Sequence, residues 1–401
     1  MEKLIITKKN GYVVSSLFDE KELVLVQAEK MEQESILGNI YIGKVKNIVK
    51  NINAAFLELS NGIMAYYSLT KKEQPVFVKR SSQNKICIGD EFLVQVEREN
   101  VKTKQPVVTA NFSLTGKYLV LLHDGTTAVH ISTKIKKKDE AEQLRNLFAE
   151  TTRNYSLIVR TNAANADTKL LKQEEHRLAL LYEQLCTQGI HKNCFSLLYQ
   201  TPPTYLQQIR DEYTDKLSAI ITDEPDLYDS IRTYISDYQP EDLGKLSLYE
   251  NTALSLSALY GLGKKLEEIQ RELVWLKSGA NIVIQPTEAL TVIDVNTGKA
   301  IAGKTAVAET FLKINKEAAV EIVKQIRLRN LSGIIIIDFI DLEQPEAEQE
   351  LLHFLSELCS KDPIKTTVVD MTALHLVEIT RKKVRKPFYE QVGADFWKNK
   401  Y

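Results

Sequence analysis

Cysteine is scarce in this 401-residue chain: Cys87, Cys186, Cys194 and Cys359 are the only four, and no two form a C-x-x-C pair. That excludes a disulfide framework and a cysteine-based zinc site, so reduced structural thiols are expected. Long apolar runs are missing as well. Nothing approaches the about 20 residues that span a membrane, and Met1-Glu-Lys-Leu-Ile-Ile-Thr-Lys-Lys lacks the apolar core of a signal peptide. A cytoplasmic protein without membrane contact is expected. Net charge is nearly absent, 52 basic against 53 acidic residues, so nucleic-acid binding would need a local basic patch and not an overall field. Internal repeats and low-complexity linkers are also lacking, which favours domains packed together. What remains, 44% hydrophobic and 26% charged, is a soluble chain able to bury several cores.

Residues 289–342 hold the strongest chemical signal. Leu290-Thr-Val-Ile-Asp294-Val-Asn296 reads as a strand whose period of two puts Asp294 and Asn296 on one face. Gly333-Ile-Ile-Ile-Ile-Asp338 is a β-branched run of the kind found in strands covered on both sides. Between them Val307, Phe311, Ile314, Ala318, Ile322 and Ile326 recur at helical spacing. A strand-helix-strand crossover makes the strands parallel and brings Asp294 beside Asp338 at one sheet edge. Two adjacent carboxylates repel unless they share a proton or a hard cation, and magnesium is favoured here. Either aspartate alone reads as a turn residue; the pair, with Asn296 on the same face, reads as a metal site. Asp341 and Glu343, Glu346, Glu348 and Glu350 belong to a loop and to the solvated face of a helix beginning near Pro345.

Gly298-Lys-Ala-Ile-Ala-Gly303-Lys304-Thr305 also fits the phosphate-loop pattern. Too few residues follow Asp338 to complete a doubly wound nucleotide-binding domain, and that reading leaves Asp294 and Asn296 without a task. Gly298 and Gly303 are therefore read as turn glycines, with Lys299 and Lys304 near substrate phosphates.

The first 36 residues alternate apolar and polar around a Lys9-Asn10-Gly11 turn, as in an antiparallel meander. Short strands from Gly38 to Val96 suggest a five-stranded OB barrel, a fold that stacks bases on aromatics beside cations; Phe56, Tyr66 and Lys104 are the candidates, against the plain alternative of buried core aromatics. Strands are expected at 118–122 and 155–160 and helices near 138–151 and 167–187. Arg160-Thr161, ending a strand, offers a guanidinium fork and a hydroxyl to a terminal phosphate, although on the residues alone Arg160 reads rather as a surface ion-pair partner. Lys134-Ile-Lys-Lys-Lys138 reads as a solvated helix entry. Residues 204–272 read as a largely helical scaffold, Thr366–Met371 as a strand, and Thr380-Arg-Lys-Lys-Val-Arg-Lys386 as a basic cluster.

Several of these pieces resemble the bacterial ribonuclease E/G family: Gly38-Asn-Ile-Tyr-Ile-Gly-Lys-Val with Ala54-Ala-Phe, Ile158-Val-Arg-Thr, Thr287-Glu-Ala-Leu-Thr-Val-Ile-Asp-Val-Asn-Thr-Gly298, Ile326-Arg-Leu-Arg-Asn-Leu-Ser-Gly-Ile-Ile-Ile-Ile-Asp-Phe-Ile-Asp341 and Leu376-Val-Glu-Ile-Thr-Arg-Lys-Lys383. The resemblance implies a multidomain α+β and α/β chain: a ribonuclease H-like subdomain (1–36 and 204–272), an inserted OB-fold RNA-binding barrel (37–116), a 5′-sensor region (117–203), a DNase I-like catalytic domain (273–391) and a tail (392–401). It implies catalysis by Asp294, Asn296 and Asp338, with Asp294 and Asp338 as ligands to magnesium, or manganese in its place. It further implies 5′-phosphate sensing by Val120, Arg160 and Thr161, and RNA contacts at Phe56, Tyr66 and Lys104. The expected activity is endonucleolytic cleavage of single-stranded, AU-rich RNA to 5′-phosphate and 3′-hydroxyl ends, on ribosomal RNA precursors and mRNA.

Departures from the family's pattern are specific. Asn162-Ala-Ala-Asn165 follows Arg160-Thr161 where the family has small and glycine residues, Tyr66 replaces a phenylalanine, and His375 replaces a glycine. The zinc-binding C-x-x-C segment that joins protomers in the family is absent before Tyr401, so a homodimer, if formed, is expected without a zinc link. Two other functions compete: an RNA-binding factor without turnover, and a phosphate-loop NTPase.

Overall fold

The computed structural model describes residues 1–32, 35–99, 105–149, 152–211, 216–298 and 307–398. The chain forms two compact units, one from Met1–Glu32, Asp215–Ser230 and Lys245–Tyr401, the other from Gln33–Thr214 and Ile231–Gly244. No helix among the described residues is long and apolar enough to cross a membrane.

The first unit holds two sheets. The N-terminal meander (Glu2–Lys9, Tyr12–Asp19, Glu22–Lys30) turns at Asn10-Gly11, both at positive φ, as a two-residue hairpin requires. Leu217–Thr222 adds to it in parallel, followed by Leu246–Leu248. These two strands interrupt the expected largely helical scaffold: they are short and embedded between helices, so their period carried little signal. Their sheet packs Ile5, Val14, Phe18 and Val26 with Leu262, Leu266 and Phe388.

The second sheet runs Leu273–Trp275, Asn281–Pro286, Leu290–Asn296, Gly333–Asp338, Leu376–Arg381, Thr366–Met371. Its third and fourth strands are parallel, joined through the helix Val307–Leu328. Ile293, Val295, Ile335, Ile337, Val377 and Ile379 face that helix and Pro345–Ser360, meeting Ile314, Ala318, Ile322, Leu351 and Leu355. Each such valine, leucine or isoleucine side chain, fully buried, contributes about 1.5–3 kcal/mol. The strand at 333–338 is not covered on both sides as expected: Ile334 is 50% exposed and Asp338 lies in the open. An uninterrupted isoleucine run looks the same whether one face or both are covered.

In the second unit, Ile40–Val49, Ala54–Glu58, Met64–Ser68, Val107–Thr109 and Glu91–Arg98 close into a five-stranded barrel of OB-like form, the first strand pairing with the last from Ile40↔Gln95 to Lys44↔Glu91. A small sheet follows, ordered Ser113–Thr115, Leu119–Leu122, Ser156–Val159, Val129–Ile131. Helices Lys138–Ala149 and Thr168–Glu183 cover it through Leu144, Phe148, Leu171, Leu178 and Tyr182. Asp167 caps the second helix by accepting from the Lys169 amide at 2.9 Å.

Candidate active site

Parallel pairing sets the site. Leu290 lies opposite Ile334, and the register continues to Asp294 opposite Asp338, where both strands near their ends. Asn296, two residues on, faces the same way, and its Nδ2 donates to Asp294 Oδ2 at 2.7 Å. That bond fixes one carboxylate oxygen. Among the described residues, no lysine or arginine pairs with Asp294 or Asp338. Partial desolvation at this exposed edge, then the charges of Asp294 and Asp341, hold the Asp338 carboxyl above the usual aspartate range.

The donor set suits a hard cation. Two carboxylates meet at an exposed edge, and no group of three or more His, Cys, Asp and Glu side chains is gathered for a metal among the described residues. A cation at Asp294 and Asp338 would therefore keep several waters, which is how magnesium binds.

The turn after the Asp294 strand supports part of the turn-glycine reading. Gly298 has φ +52, and a Cβ there would lie 2.5 Å from the Gly279 carbonyl oxygen, so only glycine fits. Lys299, Gly303 and Lys304 lie outside the described residues. The helix expected near Pro345 spans Pro345–Ser360. His375, expected to replace a glycine, adopts φ +61 in the turn before Leu376–Arg381, with Nδ1 2.8 Å from Glu348 Oε1. A glycine enters that left-handed turn without strain; a histidine costs more, and here its ring meets Glu348. The basic cluster at 380–386 loses one member: Arg381 is buried, its Nε donating to Asp362 Oδ2 at 2.7 Å.

The remaining candidates sit in the second unit. Phe56 and Tyr66 are register partners on adjacent barrel strands, with ring centroids 6.1 Å apart at 76°. Both are half-buried, while Ala55, Leu57, Ala65 and Tyr67 point into the core. Lys104 lies outside the described residues. Val120 is half-buried and pairs with Ile158. Arg160 follows the same strand; its Nη1 donates to the Gly116 carbonyl at 2.6 Å and its Nη2 to Asp211 Oδ1 at 2.9 Å. The Thr161 hydroxyl lies 2.9 Å from that of Ser132. Asp211 and Arg210, which also contacts it, were not anticipated, since nothing in their spacing joins them to Arg160 across 51 residues.

Residues 113–384 match the ribonuclease E/G family. Ribonuclease G of Escherichia coli is 32% identical over 375 residues, which cover 90% of this chain and 76% of the relative. Ribonuclease G of Haemophilus influenzae is 30% identical over 374 residues, covering 90% and 75%. Ribonuclease E of Synechocystis is 30% identical over 399 residues, covering 98% of this chain and 58% of that longer protein. The match spans more than half of the chain, so the chain belongs to the ribonuclease E/G family.

Proposed function

We propose that this chain is a cytoplasmic endoribonuclease of RNA processing and decay that hydrolyses single-stranded RNA at the Asp294–Asp338 edge. The observation that carries the reading is the parallel register of two carboxylates with no cationic partner among the described residues, at an exposed strand end of a ribonuclease E/G family member. Asp294 and Asp338 are the residues that would hold magnesium, or manganese in its place. The bound metal supplies positive charge to polarise the phosphodiester and acidifies water for attack.

Asn296 keeps Asp294 oriented through its 2.7 Å hydrogen bond, so the carboxylate need not be reordered at each turnover. Water adds to phosphorus and the 3′-oxygen leaves, giving a 3′-hydroxyl on one fragment and a 5′-phosphate on the other. Phe56 and Tyr66 offer half-exposed rings on which unpaired bases stack, which favours single strands and tolerates AU-rich sequence. Arg160 and Thr161, beside Val120, take the terminal phosphate of 5′-monophosphorylated substrates such as ribosomal RNA precursors and decaying mRNA.

The test is cleavage of a short, unstructured, 5′-monophosphorylated RNA by wild type and by Asp294→Asn/Asp338→Asn, with magnesium and with chelator. Magnesium-dependent cutting that disappears in the variant is expected. Tight binding without cutting by wild type would make the chain an RNA-binding factor and overturn the catalytic assignment.

A further inference from the structure

A guanidinium recognises phosphate best when its plane is set before the ligand arrives, because a long arginine side chain otherwise gives up rotamer freedom on binding. Arg160 is held in this way. Its Nη1 donates to the Gly116 carbonyl at 2.6 Å and its Nη2 to Asp211 Oδ1 at 2.9 Å. Asp211 is gripped in turn by Arg210, whose Nε donates to Oδ1 at 2.9 Å and whose Nη2 donates to Oδ2 at 3.1 Å. Arg210 Nη1 donates to the Thr115 carbonyl at 3.2 Å. The hydrogen bonds thus close a ring: Thr115 carbonyl, Arg210, Asp211, Arg160, and back to the adjacent Gly116 carbonyl.

The two arginines differ in exposure. Arg210 is 8% exposed, whereas Arg160 is half-buried and opens to solvent. Burial works against the Arg210 charge, but the Asp211 carboxylate outweighs it and raises the Arg210 pKa. Two guanidiniums against one carboxylate leave the ring one net positive charge, the sign a phosphate needs. The fork-on-fork contact from Arg210 fixes both Asp211 oxygens, so Asp211 serves as a rigid post against which Arg160 leans.

We propose that Arg210 and Asp211 are positioning residues for Arg160, presetting its guanidinium for the terminal phosphate of 5′-monophosphorylated RNA. The proposal rests on the assignment of Arg160 as the phosphate-recognising residue. Neither Arg210 nor Asp211 need touch the RNA; both act through the orientation of Arg160.

The experiment compares kcat/KM on one unstructured RNA carrying either a 5′-monophosphate or a 5′-hydroxyl, for wild type, Arg160→Ala, Asp211→Ala and Asp211→Asn. The ratio of the two values cancels the fraction of protein that is folded and active. Wild type should prefer the monophosphate. Asp211→Ala should lower that preference roughly tenfold or more, the scale on which losing an orienting outer partner acts at other ligand sites. Asp211→Asn, which keeps an acceptor oxygen toward Arg160, should retain part of the preference. An unchanged preference in Asp211→Ala, with a clear loss in Arg160→Ala, overturns the positioning role alone. A raised preference in Asp211→Ala overturns it too, and would make Asp211 a carboxylate that competes with the phosphate. No preference in wild type, or none lost in Arg160→Ala, overturns the phosphate assignment of Arg160 and the proposal with it.

Discussion

The six-stranded sheet has an aspartate in the turn before its edge strand Thr366–Met371 at one end and two on its central strands at the other, and treats them in opposite ways. At one end Asp362 accepts from Arg381 Nε at 2.7 Å and from the Thr366 hydroxyl at 2.9 Å, and Arg381 also donates to Asn330 Oδ1 at 2.8 Å and the Leu331 carbonyl at 2.9 Å. Both charged side chains are almost wholly buried. At the other end Asp294 and Asp338 face each other in register, with an amide on one of them and no cation of the protein on either among the described residues. Neutralised charge inside the sheet fixes how its strands and loops pack. Uncompensated charge at the open edge costs stability, and a cation from solution would supply the opposite sign.

The sharpest break in the comparison is Asp294→Asn/Asp338→Asn. Cleavage should fall to background while thermal stability holds or rises, since two repelling charges are removed and no ion pair is lost. If the variant unfolds, the aspartates are structural and the two ends are alike. At the opposite end, Arg381→Leu should destabilise the protein by about 3–5 kcal/mol, because Asp362 is left buried and unpaired. Denaturant unfolding would read this, and Arg381→Leu/Asp362→Leu should recover much of the loss. A cost below about 1 kcal/mol would mean that the pair behaves like an exposed one. Asn296→Ala comes next. It should slow cleavage by roughly 10–100-fold, as losing an outer partner of a ligating carboxylate does, with little change in melting; an equal loss of stability would sink that role.

How far the two ends were legible in the sequence follows from their chemistry. The open edge declares itself: strand period, a helical crossover and Asn296 two residues from Asp294 lead to the juxtaposition without tertiary information. The closed end does not, because Arg381 and Asp362 lie on different elements 19 residues apart. Read along the chain, Arg381 joins its basic neighbours as a surface cluster; only folding turns it inward. The same limit hid Asp211 from Arg160. Barrel closure was legible from strand spacing, whereas the strand Leu217–Thr222 takes its identity from its parallel partner Glu2–Lys9, more than two hundred residues earlier. His375 was legible only as an oddity, until its left-handed backbone and Glu348 contact gave the position a physical meaning.

The smallest expected effect tests the comparison most directly, because it asks whether the open edge is waiting for a cation. In the metal-free protein Asp338 is held above the ordinary aspartate range by partial desolvation and by the charges of Asp294 and Asp341. The folded protein thus binds this proton more tightly than the unfolded chain does. Its contribution to stability is present below the ordinary aspartate pKa and is lost as pH rises through the raised one. Above that interval the edge bears its full repulsion, and a cation should relieve it. Magnesium at ten times its dissociation constant should then stabilise the wild type by about 1.4 kcal/mol. That stabilisation should vanish in Asp294→Asn/Asp338→Asn and should not be reproduced by sodium chloride at equal ionic strength, because screening acts on all exposed charges alike. Arg381→Leu, although far less stable, should keep the full magnesium increment, since its lesion lies at the end of the sheet where charge is already answered from within. A magnesium increment of equal size in wild type and in the double-asparagine variant would assign the ion to some other surface and leave the two aspartates without a cation of their own.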